Sequence, residues 1–373
     1  MRTRLERFAW RMWRGEAGWS GSIVRFLLLP LEGVWRLATR ARNRRHDRRK
    51  GSSVEGLTVV SVGNLAVGGT GKTPVSAWVV EVLREAGARP ALLLRGYGDD
   101  EVRLHRRWSP RVPVEVGPDR LAGARRLRDE GVDVVVLDDG FQHRRLARAL
   151  DIVLLAVGDR VPGAVLPRGP YREPLEALRR AHVVVVTRRQ ESPRQVDALL
   201  DRLRRADVLS DATTLGSVRL ASRDVTPLST FAGGGSGGGP DDPSGGSLST
   251  GSTGGTATRP SAPAGAASVL AVAAVARPEA FREDVSALTG RECQLMAFSD
   301  HHEFRRQDAR RIREAAGGRP VYVTEKDAVK LAPHVAILGD VRVVGQAVVW
   351  ERGEAEVRRR VAAAVDGAEE PTS

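Results

Sequence analysis

The chain has 373 residues, enough for two domains or for one large domain with an insertion, and its 41% hydrophobic content supports a sizeable core and excludes wholesale disorder. A single cysteine, Cys293, excludes a disulfide framework and any zinc site built on several cysteines, and it fits a reducing compartment. The formal net charge of +13 raises nucleic-acid binding, but residues 1–50 hold 14 basic against four acidic residues, so only +3 remains for everything after them. A basic face spread over the fold is excluded.

That basic segment also holds Trp10, Trp13, Trp19 and Trp35, four of the seven tryptophans, flanking the apolar stretch from Ile23 to Leu31. Tryptophan and arginine around a short apolar run suit a helix lying in a membrane interface. Arg25 and Pro30 interrupt the run, which falls short of the ~20 apolar residues a bilayer span needs. No small-residue cleavage site follows it, so it does not match a signal peptide. The alternative is an amphipathic helix docked on the following domain.

Beyond residue 50, apolar runs of strand length alternate with amphipathic stretches, which predicts a parallel sheet covered by helices. Strands are expected at Leu57–Gly63, Ala91–Arg95, Val132–Asp138, Asp151–Val157 and His182–Thr187, with helices at Thr73–Ala86, Asp119–Glu130 and Glu173–Arg180. Residues 232–267 contain 12 of the 40 glycines, mixed with Ser, Thr and Pro, too little apolar surface to offset chain entropy, and are expected to be a disordered insertion. The alternation then resumes: strands Val269–Val275, Gln294–Phe298 and Val321–Thr324, and helices Pro278–Leu288 and Arg306–Ala316. A strand pair around Val335–Trp350 and a helix Ala355–Val365 close the chain. The expected fold is a P-loop NTPase-like parallel sheet with helices on both faces, a smaller C-terminal α/β domain, and an N-terminal membrane-associated helical segment. The expected boundaries are 1–50, 51–220, a linker at 221–268 containing the insertion, and 269–373.

Chemistry concentrates first in Gly63-Asn64-Leu65-Ala66-Val67-Gly68-Gly69-Thr70-Gly71-Lys72-Thr73-Pro74, between a strand and a helix. Glycines let backbone N–H groups converge on phosphate oxygens, the helix N-terminus adds positive potential, Lys72 reaches the terminal phosphates, and Thr73 can ligate Mg²⁺. Ala66 stands where the strict pattern has glycine. The chain uses only four lysines beside 55 arginines, which marks Lys72 as chosen for a compact charge. The second cluster is Asp138-Asp139-Gly140 at the end of an apolar strand, the edge where ligands bind in α/β sheets and where phosphate-loop enzymes keep a metal-contacting carboxylate. The third is Asp300-His301-His302, where a His–carboxylate pair would suit proton transfer from a hydroxyl, or a loop would simply satisfy itself. No third ligand at metal spacing accompanies it.

With these clusters, Arg95-Gly96-Tyr97-Gly98, Asp138-Asp139-Gly140-Phe141-Gln142-His143, Gly169-Pro170-Tyr171-Arg172-Glu173-Pro174, Ala276-Arg277-Pro278 and Thr324-Glu325-Lys326-Asp327-Ala328-Val329-Lys330-Leu331 occur in one order over about residues 20–365. In that combination the chain resembles the tetraacyldisaccharide 4'-kinase family of lipid A biosynthesis. The resemblance implies a kinase moving the γ-phosphate of ATP, with Mg²⁺, to the 4'-hydroxyl of an acylated glucosamine disaccharide 1-phosphate. It implies a peripheral or shallowly inserted position on the cytoplasmic face of the inner membrane, with no nucleic acid and no obligate protein partner. By the same resemblance, Asn64, Gly68, Gly69, Thr70, Gly71, Lys72 and Thr73 hold the nucleotide, and Thr73 with Asp138 or Asp139 holds Mg²⁺. Lys72, Asp139, Asp100 and His301 are the catalytic set, and Glu101, Gln142, His143, Arg172 and Glu173 contact the lipid substrate. The family's Gly-Asp-Glu-Pro block is shortened here to Gly98-Asp99-Asp100-Glu101-Val102, so the base is Asp100 or, one residue out of step, Asp99. Two rival functions remain at this point: a phosphate-loop kinase or ATP-driven ligase acting on a soluble substrate, and a non-catalytic nucleotide switch.

Overall fold

The computed structural model describes residues 4–49, 51–96, 99–159, 161–233 and 268–366. The glycine-rich stretch, apart from Ala232 and Gly233, lies outside the described residues, as do Tyr97 and Gly98 of the second motif. The chain divides into two compact units. One contains residues 3–97, 111–219 and 350–373, the other residues 98–110 and 220–349.

The larger unit begins with helices α1 (Arg4–Arg14), α2 (Gly18–Leu27) and α3 (Leu29–Arg48). Strand β1 (Thr58–Asn64), helix α4 (Lys72–Glu85) and strand β2 (Pro90–Leu94) follow. Helix α5 (Asp100–Trp108) belongs to the other unit, and the chain returns with β3 (Val114–Val116), α6 (Arg120–Asp129), β4 (Val134–Asp138), β5 (Leu150–Ala156), β6 (Val183–Arg188) and α7 (Pro193–Arg205). Strand β7 (Thr214–Pro227) comes next. The order here is β3-β2-β4-β1-β5-β6-β7, and the pairs are parallel. Every residue of β1, β2, β4 and β5 is buried, as both-face coverage by helices requires. Helix α4 packs on β1, β2 and β4, α6 on β2, and α7 on β6.

The smaller unit holds helices α8 (Leu228–Gly233), α9 (Pro278–Thr289), α10 (Arg306–Ala316), α11 (Glu325–Leu331) and α12 (Val335–Leu338). Its strands are β8 (Val269–Ala273), β9 (Cys293–Ala297), β10 (Val321–Thr324) and most of β11 (Val341–Arg352), ordered β11-β10-β8-β9 and parallel. Alternation along β8 divides its two faces. Val269, Ala271 and Ala273 meet Phe281 and Val285 of α9, whereas Leu270 and Val272 meet Ala309 and Ile312 of α10. The final helix, α13 (Glu354–Asp366), returns to the larger unit and packs on α4 and β1.

Three expectations differ from this architecture. Residues 221–233, expected as linker, are strand and helix, with Leu228 and Phe231 in the core of the smaller unit. The strand pair expected around Val335–Trp350 is one long strand, β11, preceded by short helical turns. Residues 98–110 and 350–373 each cluster with the unit that is remote from them in sequence. Long-range contacts cause this. Trp108 Nε1 of α5 donates to Glu325 Oε1 at 3.1 Å, and Trp350 lies 4.7 Å, centroid to centroid, from Trp78 of α4.

The N-terminal helices are docked, and they also expose apolar surface. Glu32 of α3 is buried and paired with Arg168 at 2.5 Å and Arg36 at 2.9 Å, Trp13 Nε1 donates to the Pro167 carbonyl at 3.1 Å, and Trp35 Nε1 to the Arg172 carbonyl at 3.0 Å. Burial alone would raise the Glu32 pKa, but bonds from Arg168 and Arg36 bring it below the ordinary value. On the same helices Trp19, Ile23, Phe26, Leu27, Leu31 and Leu37 stand exposed, Trp19 at 79% and Phe26 at 71%. No helix among the described residues is long and apolar enough to cross a membrane.

Candidate active site

Parallel pairing of β1 with β4 sets Val62 beside Asp138, so the glycine-rich loop and the Asp pair leave the sheet at one edge. Gly63 is required there: a Cβ at this position would sit 2.5 Å from Cβ of Phe141, which is wholly buried. Gly68 and Gly71 have φ of 124° and 87°, backbone that L side chains adopt only with strain. Gly71 caps α4 with no side-chain hydrogen bond, so the helix presents its first N–H groups to a phosphate rather than to a capping side chain.

Inside the loop Asn64 Nδ2 donates to Thr70 Oγ1 at 2.9 Å, and Gln142 Nε2 to the Asn64 carbonyl at 2.8 Å. Asn64, Thr70 and Thr73 are buried, and Asn64 Oδ1 is enclosed without a hydrogen-bond partner among the described residues. Lys72 Nζ lies 3.7 Å from Asp139 Oδ1. Arg172 Nη1 donates to both Asp139 oxygens at 2.8 Å and to Gln142 Oε1 at 3.3 Å. Burial raises the Asp139 pKa, but Lys72 and Arg172 together bring it below the ordinary value, so the carboxylate stays ionised. Asp139 holds φ at 60°, in the left-handed region, a strain found most often at functional positions. Asp138 is buried at the strand end. Thr73, Asp138 and Asp139 offer the hard oxygen donors that Mg²⁺ prefers, so the residues present fit the ion.

Two of the expected substrate contacts, His143 and Glu173, have distinct surroundings. His143 is half-buried, and burial, with Arg120 and Arg148, pushes its pKa down to about 4, so the imidazole is neutral near neutral pH. Glu173 is fully buried, and its carboxylate is occupied by Arg180 at 2.9 Å and Asn43 at 2.8 Å. It ties α3 to the loop that carries Arg172. A carboxylate so enclosed has no free acceptor to offer a sugar.

The second cluster lies in the smaller unit. Asp100, in the first turn of α5, is 2% exposed, and both its oxygens are 3.1 Å from His301 Nδ1. Lys330 Nζ of α11 is 3.6 Å from Asp100 Oδ2, and Lys326 Nζ is 2.6 Å from Glu101 Oε1. Burial raises the Asp100 pKa, but the His301 bond and the two lysines hold it well below the usual carboxylate range. The His301 pKa is raised by the same bond. His301 too is in the left-handed region, with φ 57°. Its neighbour His302 serves packing instead, stacked on Phe298 at 4.8 Å and bonded to Asp308 at 3.1 Å. Asp99 is the N-cap position of α5, and its exposed carboxylate lies 3.5 Å from Arg103. No cluster of three or more metal-ligating side chains occurs among the described residues. Lys330 and Asp327 were not singled out individually in the sequence. The signal for Lys330 was the scarcity of lysine, two of four falling within Thr324–Leu331.

A parallel sheet whose first strand feeds a glycine-rich loop, with carboxylates on the neighbouring strand end, defines a phosphate-loop nucleotide-dependent enzyme. The sequence matches the family described as LpxK: Tetraacyldisaccharide-1-P 4'-kinase over residues 24–105 and 98–366. It is 36% identical over 354 residues to a tetraacyldisaccharide 4'-kinase of Anaeromyxobacter sp. (strain Fw109-5), covering 87% of each chain. It is 33% identical over 331 residues to the protein of that name in Syntrophus aciditrophicus (strain SB), covering 80% of this chain and 82% of that one. A crystal structure of LpxK from Aquifex aeolicus in complex with ATP superposes with a TM-score of 0.63 at 24% identity, covering 92% of this chain and 99% of that one, and supports the fold. The chain belongs to the tetraacyldisaccharide-1-P 4'-kinase family.

Proposed function

We propose that this protein is an ATP-dependent kinase that phosphorylates the 4'-hydroxyl of a tetraacylated glucosamine disaccharide 1-phosphate in lipid A biosynthesis. The observation that carries the chemistry is the buried Asp100 carboxylate bonded to His301, in a chain whose phosphate loop bears Lys72. Lys72 and the loop amides hold the phosphates, and Thr73 with Asp138 or Asp139 holds Mg²⁺, which when bound neutralises charge on the phosphate oxygens. Asp100, oriented by His301, takes the proton of the 4'-hydroxyl as its oxygen bonds to the γ-phosphorus. The bond from that phosphorus to the bridging oxygen breaks, and ADP leaves. Arg172, itself held by Gln142 Oε1, fixes the Asp139 carboxylate. Glu101, His143 and Arg172 are the side chains this reading assigns to contact with the acceptor.

The assay is direct. Purified protein with labelled ATP, Mg²⁺ and the acylated disaccharide in detergent should label the lipid. Bound ATP with no transfer to the lipid would sink the proposal. Equal activity toward a soluble acceptor, insensitive to loss of residues 1–50, would favour a soluble-substrate kinase.

The same reading sets the protein on the cytoplasmic surface of the inner membrane, through Trp19, Phe26 and their apolar neighbours and the arginines around them. Binding to anionic vesicles should weaken as salt rises, because arginine contacts with headgroups are screened over a Debye length of about 10 Å at 0.1 M salt. Replacing Trp19 and Phe26 with serine should leave folding intact and cut vesicle binding at every salt concentration. Retention of full binding by that variant would remove these helices from the membrane contact.

A further inference from the structure

We infer that Lys330 is a positioning residue for the Asp100–His301 pair, its ammonium acting from α11 as the counter-charge that holds the Asp100 carboxylate against His301. The inference rests on the proposed role of Asp100 as proton acceptor.

The Lys330 side chain is completely enclosed, 3.6 Å from Asp100 Oδ2, and its ammonium makes no hydrogen bond among the described residues. An ammonium buried that way loses its hydration, and only a neighbouring charge offsets the loss. Two carboxylates stand near. Asp327 is already engaged by Thr324 Oγ1 at 2.7 Å and by the Ala274 amide at 3.2 Å. Lys330 acts on both, and Asp100 is the one that forms an ion pair with it, at 3.6 Å. Burial pushes Asp327 up to about 6, while Lys330 draws it down and Asp100 pushes it up, so the three groups sense one another.

Packing alone does not call for a charge at position 330. Helix α5 is already fastened to α11 by Trp108 with Glu325 and by Glu101 with Lys326. An unbranched apolar side chain would fill the enclosed space as well. The chain nevertheless keeps one of its four lysines there, where arginine is its habitual cation. A planar guanidinium needs more room and more acceptors than this enclosure supplies. The charges acting on Asp100 are His301 from the loop after β9, Lys326 and Lys330 from α11, and the opposing Asp327 of the same helix.

The sign follows. Removing a nearby cation raises the pKa of both a carboxylic acid and an imidazolium. In Lys330→Met the acid limb of kcat should therefore move to higher pH, by about one unit, with KM for ATP unchanged and activity partly restored as pH rises. The His301 imidazole, followed by NMR, should titrate at higher pH than in the native chain. Lys330→Gln, which keeps length and polarity without charge, should behave alike. A folded variant with both the limb and the His301 midpoint at native values would overturn the inference, as would a loss of activity equal at all pH. Failure of both variants to fold would mark Lys330 as a packing residue and overturn it too. A native protein that transfers no phosphate would defeat the kinase reading instead, and the His301 titration would still decide the role of Lys330.

Discussion

Asp100→Asn should cut turnover by about 10²–10⁴-fold, the range for removing a general base, and leave ATP affinity and the Mg²⁺ requirement at native values. The asparagine keeps the shape of the side chain and its place in the first turn of α5, but it cannot accept a proton. His301→Ala should give a loss of the same order, because His301 Nδ1 meets both Asp100 oxygens at 3.1 Å and orients the acceptor. The double variant should lose much less than the product of the two, since groups acting as one unit are not additive. Asp99→Asn supplies the contrast. Its carboxylate is exposed at the N-cap of α5 and, among the described residues, paired with Arg103 at 3.5 Å, so turnover should stay near native. Steady-state kinetics with equilibrium ATP binding on all four variants decides the matter. An inactive Asp99→Asn beside an active Asp100→Asn would move the base by one residue.

Lys72→Met should be the most damaging change in the larger unit. It removes the only lysine of the phosphate loop and the cation 3.7 Å from Asp139, so transfer should fall by about 10³-fold or more and nucleotide binding should weaken. Asp139 would keep Arg172 and, more weakly, Arg120 as neighbouring cations, and its pKa should rise toward the ordinary value from its present depressed position. Mg²⁺ affinity should then fall on the acid side, where a protonated Asp139 no longer ligates the ion. Lys72→Arg should not rescue, because a guanidinium cannot occupy the loop as a compact point charge. Calorimetric nucleotide binding with turnover against pH is the check. Native nucleotide affinity in Lys72→Met would show that the loop amides alone hold the phosphates.

Much of the larger unit was legible because its signals are local. Fully apolar runs such as Val134–Asp138 and Leu150–Ala156 announce strands covered on both faces, and their observed bounds differ from expectation by one or two residues. The loop from Gly63 to Pro74 was equally plain, since glycines followed by Lys72 and Thr73 at a strand–helix junction have few other uses.

Helix α5 was missed. Its nine residues carry four basic side chains and two acids, and what makes it a helix is Trp108 bonding to Glu325 and Glu101 to Lys326, more than 200 positions away. The return of α13 to α4 and the fate of residues 221–233 were hidden for the same reason.

By itself, then, the sequence determined the parallel α/β class, the phosphate loop, the strand-end carboxylates and the family whose motif order the chain follows, all properties of neighbouring residues or of their order. Only the tertiary structure set Asp100 rather than Asp99 against His301, set His302 against Phe298 and Asp308, and enclosed Glu173 as a buried tie to Arg180 and Asn43. Those choices depend on burial and on charges brought together from distant segments. The pattern of a sequence records which groups are available, while the energy of a buried charge depends on which partners folding sets within a few ångströms of it.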